Sequence, residues 1–356
     1  MKVLYAIQGT GNGHMTRAQE IIPHLQKRCM VDLLVSGTQS DIHLRYPVKY
    51  KLQGLSFVFS KNGGIDFWKT YTEADFFSFQ KQVRRLPVEE YDLIINDFEP
   101  ISAWAARYKN VPCVSLSHQA SLLSDRVPKP SIKNFVGTAI IKHYAPANQY
   151  FGFHFSRYDK NIFTPIIKRE IATSKPKNNG HYTVYLPSFS SEKLIKVFSQ
   201  FDTIKWHIFS KDAIKNKKYG NIKIFTVSEE RFIRSMITSS GVVCGAGFET
   251  PSEALFLGKK LLVIPQKNQI EQYYNAAALK ELGVETIKNL KPKNVEKLGN
   301  WIVNGKGIKI NYPNNAERVI DKVFEYYLTV CNKPITTNTV SKKAKKLVSL
   351  MLDLKS

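Results

Sequence analysis

Cys244-Gly245-Ala246-Gly247-Phe248-Glu249-Thr250-Pro251-Ser252-Glu253-Ala254-Leu255 reads as a strand that leaves through a Gly-x-Gly turn into a helix. Pro251 suits the first turn of that helix, where a missing N–H costs nothing. Glu253 falls in the early turns, where a carboxylate can face a cleft and accept hydrogen bonds from both vicinal hydroxyls of a ribose. The same carboxylate would also simply favour the helix dipole. Downstream, residues 258–265 form a buried strand, and residues 269–276 open another helix. There Glu271, Gln272 and Asn275 fall within about one turn of one another. Polar side chains just past a strand's carboxyl end suit sugar hydroxyls, which need both donors and acceptors.

Outward from this stretch, strand and helix patterns alternate, which argues for α/β architecture with parallel sheets. In the first half, strands are expected at 3–7, 31–35, 93–96 and 113–116, and helices at 16–27 and 102–107. In the second half, strands are expected at 183–186, 206–209, 223–225, 242–244 and 261–264. Helices there fall at 192–201, 230–239, 251–257 and 269–282. The polar, breaker-rich residues 173–181 read as a loop just after a domain junction. The expected organisation is two doubly wound Rossmann-like domains facing a cleft, 1–163 and 164–325, with 326–356 as a terminal helix and basic tail. Ligands favour such clefts.

Gly9-Thr10-Gly11-Asn12-Gly13-His14 is the second glycine turn, again between strand and helix. Its amides can approach an anion at the helix's positive end. The spacing is G-x-G-x-G, with His14 where the dinucleotide fingerprint has its third glycine, and no acidic residue ends the next strand. Dinucleotide binding is therefore disfavoured. An imidazole at that helix mouth can act as a general base, or can merely cap the turn.

The 356 residues suffice for two domains, and no run approaches the ~20 apolar residues of a membrane span. Residues 1–7 read as a first strand, too short for a signal peptide. Cys29, Cys113, Cys244 and Cys331 are far apart, without metal-ligand spacing, which points to reduced thiols and a cytoplasmic setting. The net charge of +23 attracts nucleic acid, anionic membrane or phosphorylated substrates. Lys342, Lys343, Lys345 and Lys346 precede an apolar stretch that reads as a packed helix or a surface anchor. Phe67, Trp68, Phe76, Phe77 and Phe79 lie beside Lys69, Lys81, Arg84 and Arg85. They read as a membrane-facing segment or as rings packed onto the sheet.

The combined pattern, G-x-G-x-G-H early and G-F-x-x-x-x-E-A-L with Q-x-E-Q and N-A late, resembles the GT-B glycosyltransferases. It is most similar to the family-28 type that includes the lipid II-forming N-acetylglucosaminyltransferase. The resemblance covers residues 2–282 and implies that 1–163 is the acceptor-side domain and 164–325 the nucleotide-sugar-binding one. It implies that Glu253 holds the donor ribose and that Gln272 contacts the transferred sugar. Glu271 replaces a glutamine and so alters sugar identity, while Gly247 and Phe248 form the donor turn. Ser188 and Ser190, with Ser191, match a second phosphate loop, here Leu-Pro-Ser-Phe-Ser-Ser instead of glycine-rich. Lys168 matches a residue that neutralises the diphosphate, and backbone at 227–232 would read the base. Gly11, Gly13 and His118 fall on the acceptor side. His14, Asp97 or His118 would deprotonate the acceptor.

The implied reaction is inverting transfer from a UDP-sugar to a lipid-linked or glycan hydroxyl. No metal or cofactor is expected, in keeping with the lack of a D-x-D motif. One alternative is a non-hydrolysing UDP-sugar 2-epimerase, which would need no acceptor. The other is nucleic-acid binding, which the scattered lysines do not favour because stacking aromatics are not interleaved among them. The expected partners are thus the donor, the acceptor and an anionic membrane surface.

Overall fold

The structure is a computed structural model that describes residues 1–37, 44–54, 76–130 and 141–331. The first sheet runs β3-β2-β1-β4-β5-β6-β7. Its strands are β1 (Lys2–Gln8), β2 (Met30–Ser36), β3 (Tyr50–Leu52), β4 (Leu93–Asp97), β5 (Cys113–Ser117), β6 (Gln149–Phe153) and β7 (Ile162–Phe163). All neighbours pair in parallel. The second sheet runs β10-β11-β9-β8-β12-β13-β14. It is built of β8 (His181–Tyr185), β9 (Lys205–Ser210), β10 (Lys217–Tyr219), β11 (Ile222–Thr226), β12 (Gly241–Gly245), β13 (Lys260–Ile264) and β14 (Glu285–Thr286). Only the edge strand β10 pairs antiparallel among the described strands. The central strands are continuous apolar runs, such as Val3 to Ile7, because parallel sheets are covered on both faces.

The helices are α1 (Asn12–Gln26), α2 (Phe76–Arg85), α3 (Pro100–Lys109), α4 (His118–Ser121), α5 (Arg169–Ala172) and α6 (Ser191–Phe198), followed by α7 (Glu229–Thr238), α8 (Glu249–Phe256), α9 (Ile270–Glu281), α10 (Pro292–Asn304) and α11 (Ala316–Cys331). Every strand and helix expected within residues 3–282 is present. The pattern missed β6, whose Gly152 interrupts the apolar run. A Cβ there would come 2.6 Å from the Ser121 backbone, so α4 presses directly on this strand.

The end of the chain returns to the first half. Val319, Ile320 and Val323 of α11 are fully buried in the same core as Ile21, Ile22 and Leu25 of α1. Arg28 pairs with Glu317 and Asp321. The boundary expected after residue 325 therefore falls inside a helix that belongs with the N-terminal sheet. The chain crosses between halves twice, after β7 and again before α11, and the crossings are joined by a hydrogen bond from Asn315 to Thr164. The lysine cluster at 342–346 and Phe67, Trp68 and Lys69 lie outside the described residues. In α2, Phe79 and Val83 pack on the core beside β4 and α3, while Phe77 is 88% exposed.

The first sheet reverses direction between β1 and β4, and the second between β8 and β12. Ligand crevices form outside the carboxyl ends of strands at such reversals. Here the two crevices face each other.

Candidate active site in the interdomain cleft

The turn after β1 needs its glycines for specific reasons. Gly11 has φ 90°, which disfavours other residues. A Cβ on Gly13 would lie 3.2 Å from Cγ of Glu249, a residue of the opposite half. The helix that follows places His14 and Arg17 three residues apart, on one face. Opposite them, Asp97 ends β4, fully buried. The chain then turns through Phe98 at φ 58°. Glu99 caps α3 by accepting from Ile101 N at 2.9 Å and Ser102 N at 2.6 Å. Asn96 in turn donates to Glu99 O at 2.6 Å, so the strand end that carries Asp97 is held on both sides.

His14 Nδ1 lies 2.8 Å from Asp97 Oδ1. Arg17 donates to the same carboxylate, from Nε to Oδ2 at 3.1 Å and from Nη2 to Oδ1 at 2.9 Å. A third bond runs from Arg17 Nη1 to Glu249 Oε1 at 2.7 Å. Arg17 Nη2 also stands 3.2 Å from His14 Nδ1, and with the Nδ1 proton directed at the Asp97 carboxylate the Nε2 lone pair is left to accept. Gln119 Nε2 stands 3.4 Å from it and donates to Glu271 Oε2 at 2.8 Å. Burial alone would raise the Asp97 pKa, but the Arg17 and His14 charges and hydrogen bonds outweigh it and hold the carboxyl below its usual range.

The cavity between the halves measures about 850 Å³. Gly11, Gly13, His14, His118, Lys168, Ser188, Gly247, Phe248, Glu253, Glu271 and Gln272 all line it, so most of the expected site residues come together. Lys168 Nζ lies 2.9 Å from Glu229 Oε1 and 3.5 Å from Glu253 Oε1. Burial opposes its charge, but those two carboxylates raise its pKa above the ordinary lysine value. Glu253 is itself buried, which pushes its carboxyl upward against the pull of Lys168. Glu249 is pushed to about 7, chiefly by burial and only partly offset by Arg17. Gln272 accepts from Gln266 N at 2.8 Å and donates to Gln269 Oε1 at 2.6 Å, which fixes its amide.

Three expected residues sit differently. Asp97 does not line the cavity but backs His14 from the core. His118 has both ring nitrogens 2.8 Å from acceptors, Phe153 O and Asn275 Oδ1. It also stacks on Phe248 with centroids 4.1 Å apart, and burial drives its pKa below the usual imidazole value. Neither nitrogen is free to take a proton from a ligand. Ser190 lies outside the cavity, facing a separate groove between α6 and α10. It caps α6 by accepting from Lys193 N at 3.4 Å, because a serine just before a helix finds an orphan amide. Sequence reasoning missed Arg17, Gln119 and Glu249. Arg17 could have been found from its spacing to His14, and Glu249 from its place in the glycine turn.

A profile described as glycosyl transferase family 1 matches residues 1–304. No curated protein matches by sequence. Among solved structures, MurG of Acinetobacter baumannii has TM-score 0.54 at 14% identity, over 91% of this chain and 99% of that one. Arabidopsis thaliana UGT89C1, complexed with UDP, has TM-score 0.52 at 15% identity, over 99% of each chain. The Streptomyces sp. SF2575 glycosyltransferase SsfS6, complexed with thymidine diphosphate, has TM-score 0.52 at 11% identity, over 91% and 96%. At such identities the likeness is one of fold, and the fold is GT-B. The expected closeness to the family-28 type has only this fold-level support.

Proposed function

The chain belongs to glycosyl transferase family 1, and from that premise we propose that it is an inverting, metal-independent transferase. The donor is a UDP-sugar, and the acceptor a hydroxyl of a lipid-linked or glycan substrate at the cytoplasmic face of a membrane. The observation that carries this reading is His14, its Nδ1 bound to Asp97 and its Nε2, 3.4 Å from the Gln119 amide nitrogen, at a cavity that His14 lines together with Lys168 and Glu253. An acceptor hydroxyl at Nε2 gives up its proton there as its oxygen bonds the anomeric carbon. On the opposite face the bond to the nucleotide diphosphate breaks. The leaving charge is met by Lys168 and by the amides at the start of α8. Asp97 steadies the imidazolium that forms. UDP is preferred as the nucleotide because UGT89C1 was solved with it, although SsfS6 with thymidine diphosphate makes that sugar series the natural comparison.

For the acceptor, exposed Phe77 beside exposed Lys81, Arg84 and Arg85 on α2 favours a lipid-linked substrate reached at an anionic surface. No helix among the described residues is long and apolar enough to cross a membrane.

A panel of UDP- and thymidine-diphosphate sugars, monitored for nucleotide diphosphate release with and without membrane lipid extract, tests the reading. One UDP-sugar should turn over only with acceptor, and activity should survive exhaustive chelation. Conversion of the donor alone would make the protein an epimerase, and a strict Mg²⁺ requirement would remove metal independence. His14→Ala should lower turnover by about 10²–10⁴-fold while UDP still binds.

A further inference from the structure

Arg17 is 3% exposed, and three of its N–H bonds are committed to protein carboxylates. Two reach Asp97, at the end of β4 in the first half. The third reaches Glu249, the first residue of α8 in the second half. A planar guanidinium bound on three sides has one orientation, which a lysine ammonium, a point charge, could not reproduce. The contact is close on the other side as well, since Glu249 Cγ fills the space where Gly13 would carry a side chain. Gly13 therefore leaves room for Glu249 to reach Arg17. This gives a continuous polar path, through the buried Asp97, from the helix that opens towards the donor to the imidazole that faces the acceptor.

We propose that Arg17 is a positioning residue through which the seating of α8 sets the alignment of His14. Glu249 fixes the guanidinium, the guanidinium fixes the Asp97 carboxylate and itself stands 3.2 Å from His14 Nδ1, and the carboxylate fixes Nδ1–H of His14. The inference rests on the reading of His14 as the base. It adds that the base is fully aligned only when the donor-side half is docked, so that proton removal and donor placement are coupled by one side chain. With the Glu249 arm gone, the guanidinium keeps its charge but loses its third anchor. Asp97 then holds the imidazole less tightly, and misplacement of about 1 Å at such a site costs up to about 10²-fold in rate.

Nitrogen-15 labelling of the histidine rings reads the alignment without any substrate. The His14 Nδ1–H signal, identified by its loss in His14→Asn, should shift or broaden in Glu249→Ala, although Glu249 makes no hydrogen bond to His14. In Arg17→Met it should be lost, and adding Glu249→Ala should change nothing further. With the UDP-sugar that the panel selects, Arg17→Met should lower kcat by about 10²-fold and Glu249→Ala by about tenfold. The double variant should match Arg17→Met alone, because Glu249 acts only through Arg17. UDP affinity by calorimetry should stay within about threefold throughout, as expected of a residue that acts on turnover and not on ground-state binding. Arg17→Lys, which keeps the charge without the fork, should fall between wild type and Arg17→Met, and it carries the test if the methionine variant does not fold. An unmoved His14 signal in Glu249→Ala overturns the proposal. So do losses that multiply in the double variant, or a tenfold weaker UDP affinity, which would make Arg17 a donor ligand. Failure of the underlying functional reading would look different: wild-type protein that neither binds UDP nor releases it from any sugar.

Discussion

Glu253 combines the features of a ribose ligand: a carboxylate early in a helix, buried, and 3.5 Å from a lysine that keeps it paired. Hydrogen bonds to a charged group contribute about 1.5–3 kcal/mol net. Glu253→Ala should therefore weaken UDP binding roughly 10- to 100-fold. Removing the ribose hydroxyls from the nucleotide should cost a similar amount. The two losses should not add, because they delete the same contact. Calorimetry on the four combinations of protein and ligand measures this, and wild-type affinity in the mutant would leave Glu253 only a helix-dipole role. The place of Glu253 early in a helix beside the cavity was legible in the sequence because glycine spacing and Pro251 mark a strand-to-helix turn locally. The contact between Arg17 and Glu249 was not, since it spans 232 residues of chain and no local pattern encodes it. Ser190 shows the converse difficulty, for the same hydroxyl chemistry serves a phosphate loop and a helix cap.

Among the elements, the end of α7 has an unusual fastening. Lys259, directly after α8 and buried, donates from Nζ to Ile237 O at 2.7 Å, Ser239 O at 2.8 Å and Lys177 O at 2.6 Å. One ammonium thus satisfies carbonyls that a helix end leaves open, and ties the 173–181 loop to the sheet. Lys259→Met has a similar length but removes three bonds to backbone carbonyls, of which Ile237 O alone keeps a second donor, Lys177 N at 2.9 Å. It should destabilise the protein by about 2–4 kcal/mol, seen as a lower urea midpoint with an unchanged slope. A midpoint equal to wild type would mean that water replaces the lysine freely. The strand and helix pattern revealed α7, α8 and β13, because their apolar periods are regular. It missed the short edge strands β3, β7, β10 and β14, of two or three residues each, where too few positions exist for a period to show.

For the whole molecule, the net charge of +23 is the dominant long-range property. Phe77 on α2, with Lys81, Arg84 and Arg85 exposed beyond it, gives that field an apolar point of contact. Sedimentation with phosphatidylglycerol vesicles should be strong at low salt and fall steeply towards 1 M, where screening shortens to about 3 Å. Equal binding to phosphatidylcholine vesicles would show that charge is not the cause. The two-sheet plan was readable from alternation alone, whereas the return of α11 to α1 was not, since an amphipathic helix does not state which surface it will cover. That return has a mechanical consequence. Two chain crossings, laced together where Asn315 meets Thr164, tie the halves at one place, so that spreading the cleft would load both crossings at once.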